Sequence, residues 1–183
     1  MDTPFTKINL TMFMTYIMLL ACKFQSPELK KYTILHFIFK LNRILGAITF
    51  NTSAAIMLPW ESARVLYPHA SEHLITTTTK KYNISRKVFE FINFAIHIFP
   101  VMYLVGVRKH WSRFSRDIRT VMISLFIHTA WIHYVPKHYN LNRVYMFGDK
   151  ILDNSQWLRL WSLAMIGHFI SFGYYSGIKT IAS

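Results

Sequence analysis

Residues 88–107 read VFEFINFAIHIFPVMYLVGV. The stretch carries one full charge, Glu90 near its start, and is otherwise apolar or weakly polar. About 20 apolar residues in helical form cross the hydrocarbon core of a bilayer. Residues 88–107 therefore read as a transmembrane helix. His97 sits about 15 Å along it at 1.5 Å per residue. A charged group at mid-depth costs roughly 2.5–3.5 kcal/mol or more, so an ionisable residue there reads as a functional-site candidate. Histidine can stay neutral, at lower cost.

Working outward, four more apolar runs appear. The first is Ile8–Cys22, begun through Thr3-Pro4, a helix-start signal. The second helix starts near Thr33 and runs to Pro59-Trp60, with Leu41–Leu58 as its membrane part and Lys40 and Arg43 able to snorkel from one end. The fourth span is Val121–Val135, closed by Pro136, and the fifth is Leu160–Ile181. Residues 61–86, 108–119 and 137–156 read as polar connections. Trp60, Trp111, Trp157 and Trp161 fall near span ends, where an aromatic belt belongs. The expectation is an all-α polytopic membrane bundle of about five transmembrane helices. Residues 1–183 form one domain, with the first apolar run retained rather than cleaved.

Composition agrees. Of 183 residues, 52% are hydrophobic and 16% aromatic, while only 16% are charged. The formal net charge of +13 would suggest nucleic acid in a soluble protein. Here the basic residues gather between the apolar runs: Lys30 and Lys31; Lys80, Lys81, Arg86 and Lys87; Arg108, Lys109, Arg113, Arg116 and Arg119. Such loops meet anionic membrane lipids, and no nucleic-acid partner is expected. The short segment 108–119 is the densest, which places it in the cytosol and the N-terminus outside or in a lumen. Asn83-Ile84-Ser85 is a glycosylation sequon on that outer side. Cys22 is the only cysteine, so no intrachain disulfide forms.

The polar residues of the spans carry the chemistry. They include Thr6, Asn9, Asn51, Asn93, His97, His128, His133 and His168. Asn93 and His97 are four apart and share a helix face; His128 and His133 are five apart and diverge. Each has a structural alternative. Thr6 can bond a nearby backbone carbonyl, and His97 can serve as an interhelical hydrogen-bond donor. If Thr6 and His97 meet, the imidazole can take the hydroxyl proton and make the threonine a nucleophile toward an ester carbonyl. Asn93 would orient the ring or stabilise an oxyanion. On these span boundaries Thr6 lies near the outer end of its helix and His97 well inside its own, so contact requires the first helix to begin further out. His69 and His73 have metal-ligand spacing, but no second histidine box matches them, and they read as a solvated loop pair. No metal or cofactor is implied.

At these residues the chain resembles the androgen-induced protein family of multi-span membrane hydrolases, which includes the androgen-dependent regulator of tissue factor pathway inhibitor. Phe5-Thr6-Lys7-Ile8-Asn9-Leu10 resembles the family's catalytic threonine segment. Asn93, His97 and Pro100 resemble its catalytic histidine segment. Leu29-Lys30-Lys31, Tyr67-Pro68, Trp131-Ile132-His133 and Tyr145-x-Phe147 follow in the family's order. Phe94 stands where the family often has a second histidine, Ile98 where threonine is common, and Met146 where its Tyr-Pro-Phe has proline. Five spans stand against the family's six, since nothing here matches its first helix. The resemblance implies hydrolysis of fatty acid esters of hydroxy fatty acids, with Thr6 as nucleophile and His97 as base. Asn9, Asn93, Trp131 and His133 would support substrate or site. It also implies a lipid substrate arriving from the bilayer and residence in the endoplasmic reticulum or another endomembrane. A homo- or hetero-oligomer is compatible with it. Two alternatives stay open: an inactive relative acting as a membrane scaffold or assembly subunit, and a haem protein using His97, His133 or His168 as axial ligands.

Overall fold

The computed structural model describes residues 4–25, 28, 32–110, 118–138 and 154–182, and the side chains of most of these. Among them every regular element is helical. Helix α1 spans Pro4–Gln25, α2 Thr33–Leu66, α3 Pro68–Tyr82 and α4 Arg86–Asn93. A π turn over Phe94–Ile98 joins α4 to α5, Phe99–Gly106. A 3₁₀ turn follows at Arg108–His110, then α6, Ile118–His138, and α7, Asn154–Ala182.

Among the described residues, three stretches are long and apolar enough to cross a membrane: Thr6–Gln25, Thr33–Leu66 and Arg86–Gly106. Helices α6 and α7 carry shorter apolar stretches, Ile118–Ala130 and Leu158–Ile170, among the described residues.

Several sequence boundaries move. Helix α1 begins four residues before Ile8. Pro59 does not end α2, which runs on to Leu66 and reaches roughly 50 Å at 1.5 Å per residue. A proline inside a helix removes one bond, here to the Ala55 carbonyl, and neighbouring helices hold the rest in place. Pro136 likewise lies inside α6. The connection 61–86 is not a loop. Tyr67 breaks the chain direction, Pro68 starts α3, and the four threonines wind into that helix. Asn83, in the left-handed region at φ 49°, closes α3, and the Ser85 hydroxyl then caps α4 by accepting the Val88 N–H.

Helix α2 is the axis of the bundle. Every residue from Gly46 to Ala55 is buried, so this helix has no outward face over that length. Gly46, Ala47, Ser53, Ala54 and Ala55 are small enough for close helix approach. Gly167 of α7 uses this surface: a Cβ there would stand 2.5 Å from the Ala55 Cα. On the other side, Phe13, Tyr16 and Leu20 of α1 pack with Ala47, Phe50 and Leu104. A second cluster joins Ala63, Tyr67 and Ala70 to Leu160.

Candidate functional site

Helix α1 points Thr6, Asn9, Phe13, Tyr16 and Leu20 inward, a spacing of three and four residues that traces one helical stripe. Polar residues occupy its first half and apolar ones its second. Asn9 is 1% exposed and bridges to α2. Its Nδ2 donates to Ser53 Oγ at 3.0 Å, and the Thr52 hydroxyl donates to its Oδ1 at 2.6 Å. Further along, Asn42 Nδ2 donates to the Tyr16 carbonyl at 3.2 Å, so α1 and α2 run antiparallel.

Aromatic pairs fix the other register. Phe13 meets Phe99 edge-on at 6.0 Å and Tyr103 at 5.6 Å, and Phe24 meets His110 at 5.1 Å. Helix α1 therefore runs parallel to the α4–α5 rod. Carried back along α1, the same offset points to residues 92–96 as the level of buried Thr6. Helix α1 starts at Pro4, four residues before Ile8, so Thr6 lies within it.

The π turn at His97 has a local cause. Pro100 has no N–H for the Ile96 carbonyl, and its ring crowds that oxygen. The chain responds by widening, and the Phe99 N–H reaches back five residues to the Phe94 carbonyl. Such bulges concentrate at functional sites. The widened turn sets the His97 ring against Trp60 of α2, with centroids 5.9 Å apart and planes 22° from parallel. His97 Nδ1 and Trp60 Nε1 are buried and meet no hydrogen-bond partner among the described residues, and neither does Asn93 Oδ1. Asn93 itself is 1% exposed. Buried polar atoms without partners are rare and ask for a ligand or water.

Above this layer lies a charged end. Arg64 of α2 donates to Glu90 of α4 at 3.0 Å, and Arg86 forms a two-pronged pair with Glu72 of α3 at 2.7 and 2.8 Å. His97 lies seven residues, about 10 Å, below Glu90. At the opposite end His110 lies near Lys23 and Arg43. Burial, then those two cations, hold its pKa below the ordinary histidine value.

A second histidine group lies between α6 and α7. His128 Nδ1 and His168 Nε2 are 2.6 Å apart, and His168 Nδ1 lies 3.0 Å from Ser124 Oγ. Both nitrogens of His168 are therefore engaged, which leaves neither for an axial bond to iron. The spacing Ser124-x-x-x-His128 puts those two residues on one helix face and was the available sequence signal for this group. Trp60, seen from the sequence as a belt residue, lines the His97 site instead. Thr52 and Ser53, Asn9's partners, carried no signal beyond being polar. The side chains of Trp131 and His133 lie outside the described residues, as do Tyr145 and Phe147. His69 and His73 are exposed on α3 rather than in a loop. No group of three or more metal-ligating side chains occurs among the described residues.

Comparison with known protein families, with curated proteins and with solved structures finds no match.

Proposed function

We propose that this chain is an integral membrane protein of five spans that hydrolyses long-chain lipid esters at Thr6 and His97. The three long apolar helices support membrane insertion. Helices α6 and α7 would supply the fourth and fifth spans. The observation that carries the hydrolase reading is the π turn at His97. It holds an imidazole, whose Nδ1 is buried and meets no partner among the described residues, against Trp60, and buried Thr6 lies on neighbouring helix α1.

In this reading Thr6 Oγ1 attacks the ester carbonyl carbon while an imidazole nitrogen of His97 takes its proton. The tetrahedral adduct collapses, and His97 returns the proton to the departing alcohol. Water then hydrolyses the acyl-threonine. The Asn93 amide N–H is suited to the developing oxyanion, and Asn9 holds the threonine turn against α2. The charged end at Arg64 and Glu90, about two turns away, offers a route for water. The exposed apolar side chains Phe91, Phe94 and Phe99 suit a substrate arriving sideways from the bilayer. An endomembrane such as the endoplasmic reticulum is the expected residence, on the family resemblance. The clustering of Lys23, Arg43, Arg108 and His110 at one end agrees with that end facing the cytosol.

The test is turnover of a fatty acid ester of a hydroxy fatty acid by the detergent-purified protein. The expected result is release of both acids, abolished in Thr6→Ala. Folded protein without turnover would instead favour a scaffold or assembly role.

A further inference from the structure

Trp60 Nε1, Asn93 Oδ1 and His97 Nδ1 are buried and lack partners among the described residues. They belong to one contact between helices. Glu90 meets α2 at Arg64, and His97 meets it at Trp60. Asn93 lies between Glu90 and His97 in sequence and is 1% exposed. The π turn that follows it also packs on α2. On the α2 side Glu61 follows Trp60, and its Oε1 is likewise buried without a partner among the described residues.

The donor and acceptor roles of these atoms define what they can bind. An indole N–H only donates, and an amide oxygen only accepts. The imidazole Nδ1 takes either role, depending on the tautomer. An ester or ether oxygen would satisfy Trp60 and leave Asn93 Oδ1 bare. An ammonium group would do the reverse. A buried polar atom left bare costs its full desolvation. A hydroxyl accepts through its oxygen and donates through its hydrogen, so one hydroxyl serves Trp60 and Asn93 together. A carboxylate only accepts, and it would also meet Glu61 beside Trp60 and Glu90 three residues before Asn93. The Arg64 guanidinium at this level is already bonded to Glu90. The head group that fits is therefore an uncharged alcohol.

The surroundings define the rest of the ligand. Phe94 and Phe99 flank His97 in sequence and are 41% and 42% exposed, and Phe91 is 72% exposed. An apolar surface of this kind beside a buried polar group suits a long hydrocarbon tail.

We infer that Trp60, Asn93 and His97 form a binding site for the hydroxyl head of an uncharged lipid alcohol. The hydroxyl oxygen accepts from Trp60 Nε1–H, and its hydrogen is donated to Asn93 Oδ1, with His97 Nδ1 beside them. Such binding needs no turnover and stands apart from the hydrolase reading. Under that reading the departing alcohol would be one occupant.

The experiment uses the full-length protein in detergent micelles and a long-chain alcohol with a diazirine and an alkyne in its tail. Photolabelling is competed with oleyl alcohol, oleyl methyl ether and oleate, which share a tail and differ at the head. Oleyl alcohol should compete about 10-fold better than the ether or oleate, in line with one or two neutral hydrogen bonds. Trp60→Phe keeps an aromatic ring against His97, removes the N–H and should abolish that preference. Asn93→Leu removes the acceptor at similar volume and should do the same. Without ligand, Asn93→Leu should melt no lower than the parent, because it deletes an unpaired buried oxygen. Equal competition by alcohol and ether in the parent would overturn the inference, with water alone serving these atoms. So would a preference that survives either substitution, or a lower melt for Asn93→Leu. A parent that prefers the alcohol yet turns over no ester would uphold this site and remove the hydrolase reading.

Discussion

Asn9 ties the site to the bundle through three bonds with Thr52 and Ser53. Interhelical hydrogen bonds inside membranes average about 0.6 kcal/mol each, with a maximum near 1.7. Asn9→Leu is therefore expected to cost about 1–2 kcal/mol, read as a lowered unfolding temperature in detergent, and to reduce ester turnover by loosening Thr6. Outside the apolar layer, His110 gives a pH signature. Its folded pKa lies below the ordinary 6.5 because burial and then Lys23 and Arg43 disfavour the charged ring. The unfolded chain thus binds the proton first as pH falls. Stability is expected to be full above pH 6.5 and to decline as pH drops toward the folded value. His110→Gln should flatten that decline in melts taken between pH 5 and pH 7.5. At this scale Thr6, Asn9, Asn93 and His97 could be picked out as polar residues in apolar runs. Their partners could not, because Thr52, Ser53 and Trp60 are ordinary residues until a neighbouring helix is set beside them.

Two helices depart from regular form, and each departure makes a prediction. Pro100 forces the π turn that presents His97. Pro100→Ala supplies the missing N–H and lets the turn relax to α-helix, which shifts His97 by as much as one position, or about 100° around the axis. Thermal stability should hold or rise while turnover falls about 100-fold, since small misplacements of a reacting group are that costly. An unchanged rate would separate the π turn from function. Gly167 is the opposite case, a residue needed for closeness. Gly167→Ala would press a methyl group into the Ala55 backbone and is expected to cost about 1–3 kcal/mol in a melt. The pattern of apolar runs exposed the helices well. It misjudged where they end, because Pro59 and Pro136 read as stops in isolation, whereas a helix packed on its neighbours tolerates a lost bond. Helix α3 escaped notice since its threonines and lysines have no apolar stripe long enough to mark it.

Taken whole, the molecule is a bundle around α2 with separate buried polar groups: Asn9 with Thr52 and Ser53, His97 against Trp60, and His168 with His128 and Ser124. The order of apolar runs along the chain made an all-helical fold legible, while these groupings depend on registers that only assembled helices define. Topology is open to a direct check. Cys22 is exposed and lies near the end marked by Phe24 and His110. If that end is cytosolic, a membrane-impermeant maleimide should label Cys22 in intact right-side-out microsomes, whose cytosolic face is outward. Labelling only after permeabilisation would reverse the orientation. The central claim is that Thr6 and His97 act as one unit. Residues that do so are strongly non-additive when removed. The decisive measurement is ester hydrolysis by the purified parent, Thr6→Ala, His97→Ala and the double variant, with folding verified for each. Equal and near-complete loss in all three variants is the predicted result. A single variant that keeps the parent rate, or losses that multiply in the double variant, would contradict it.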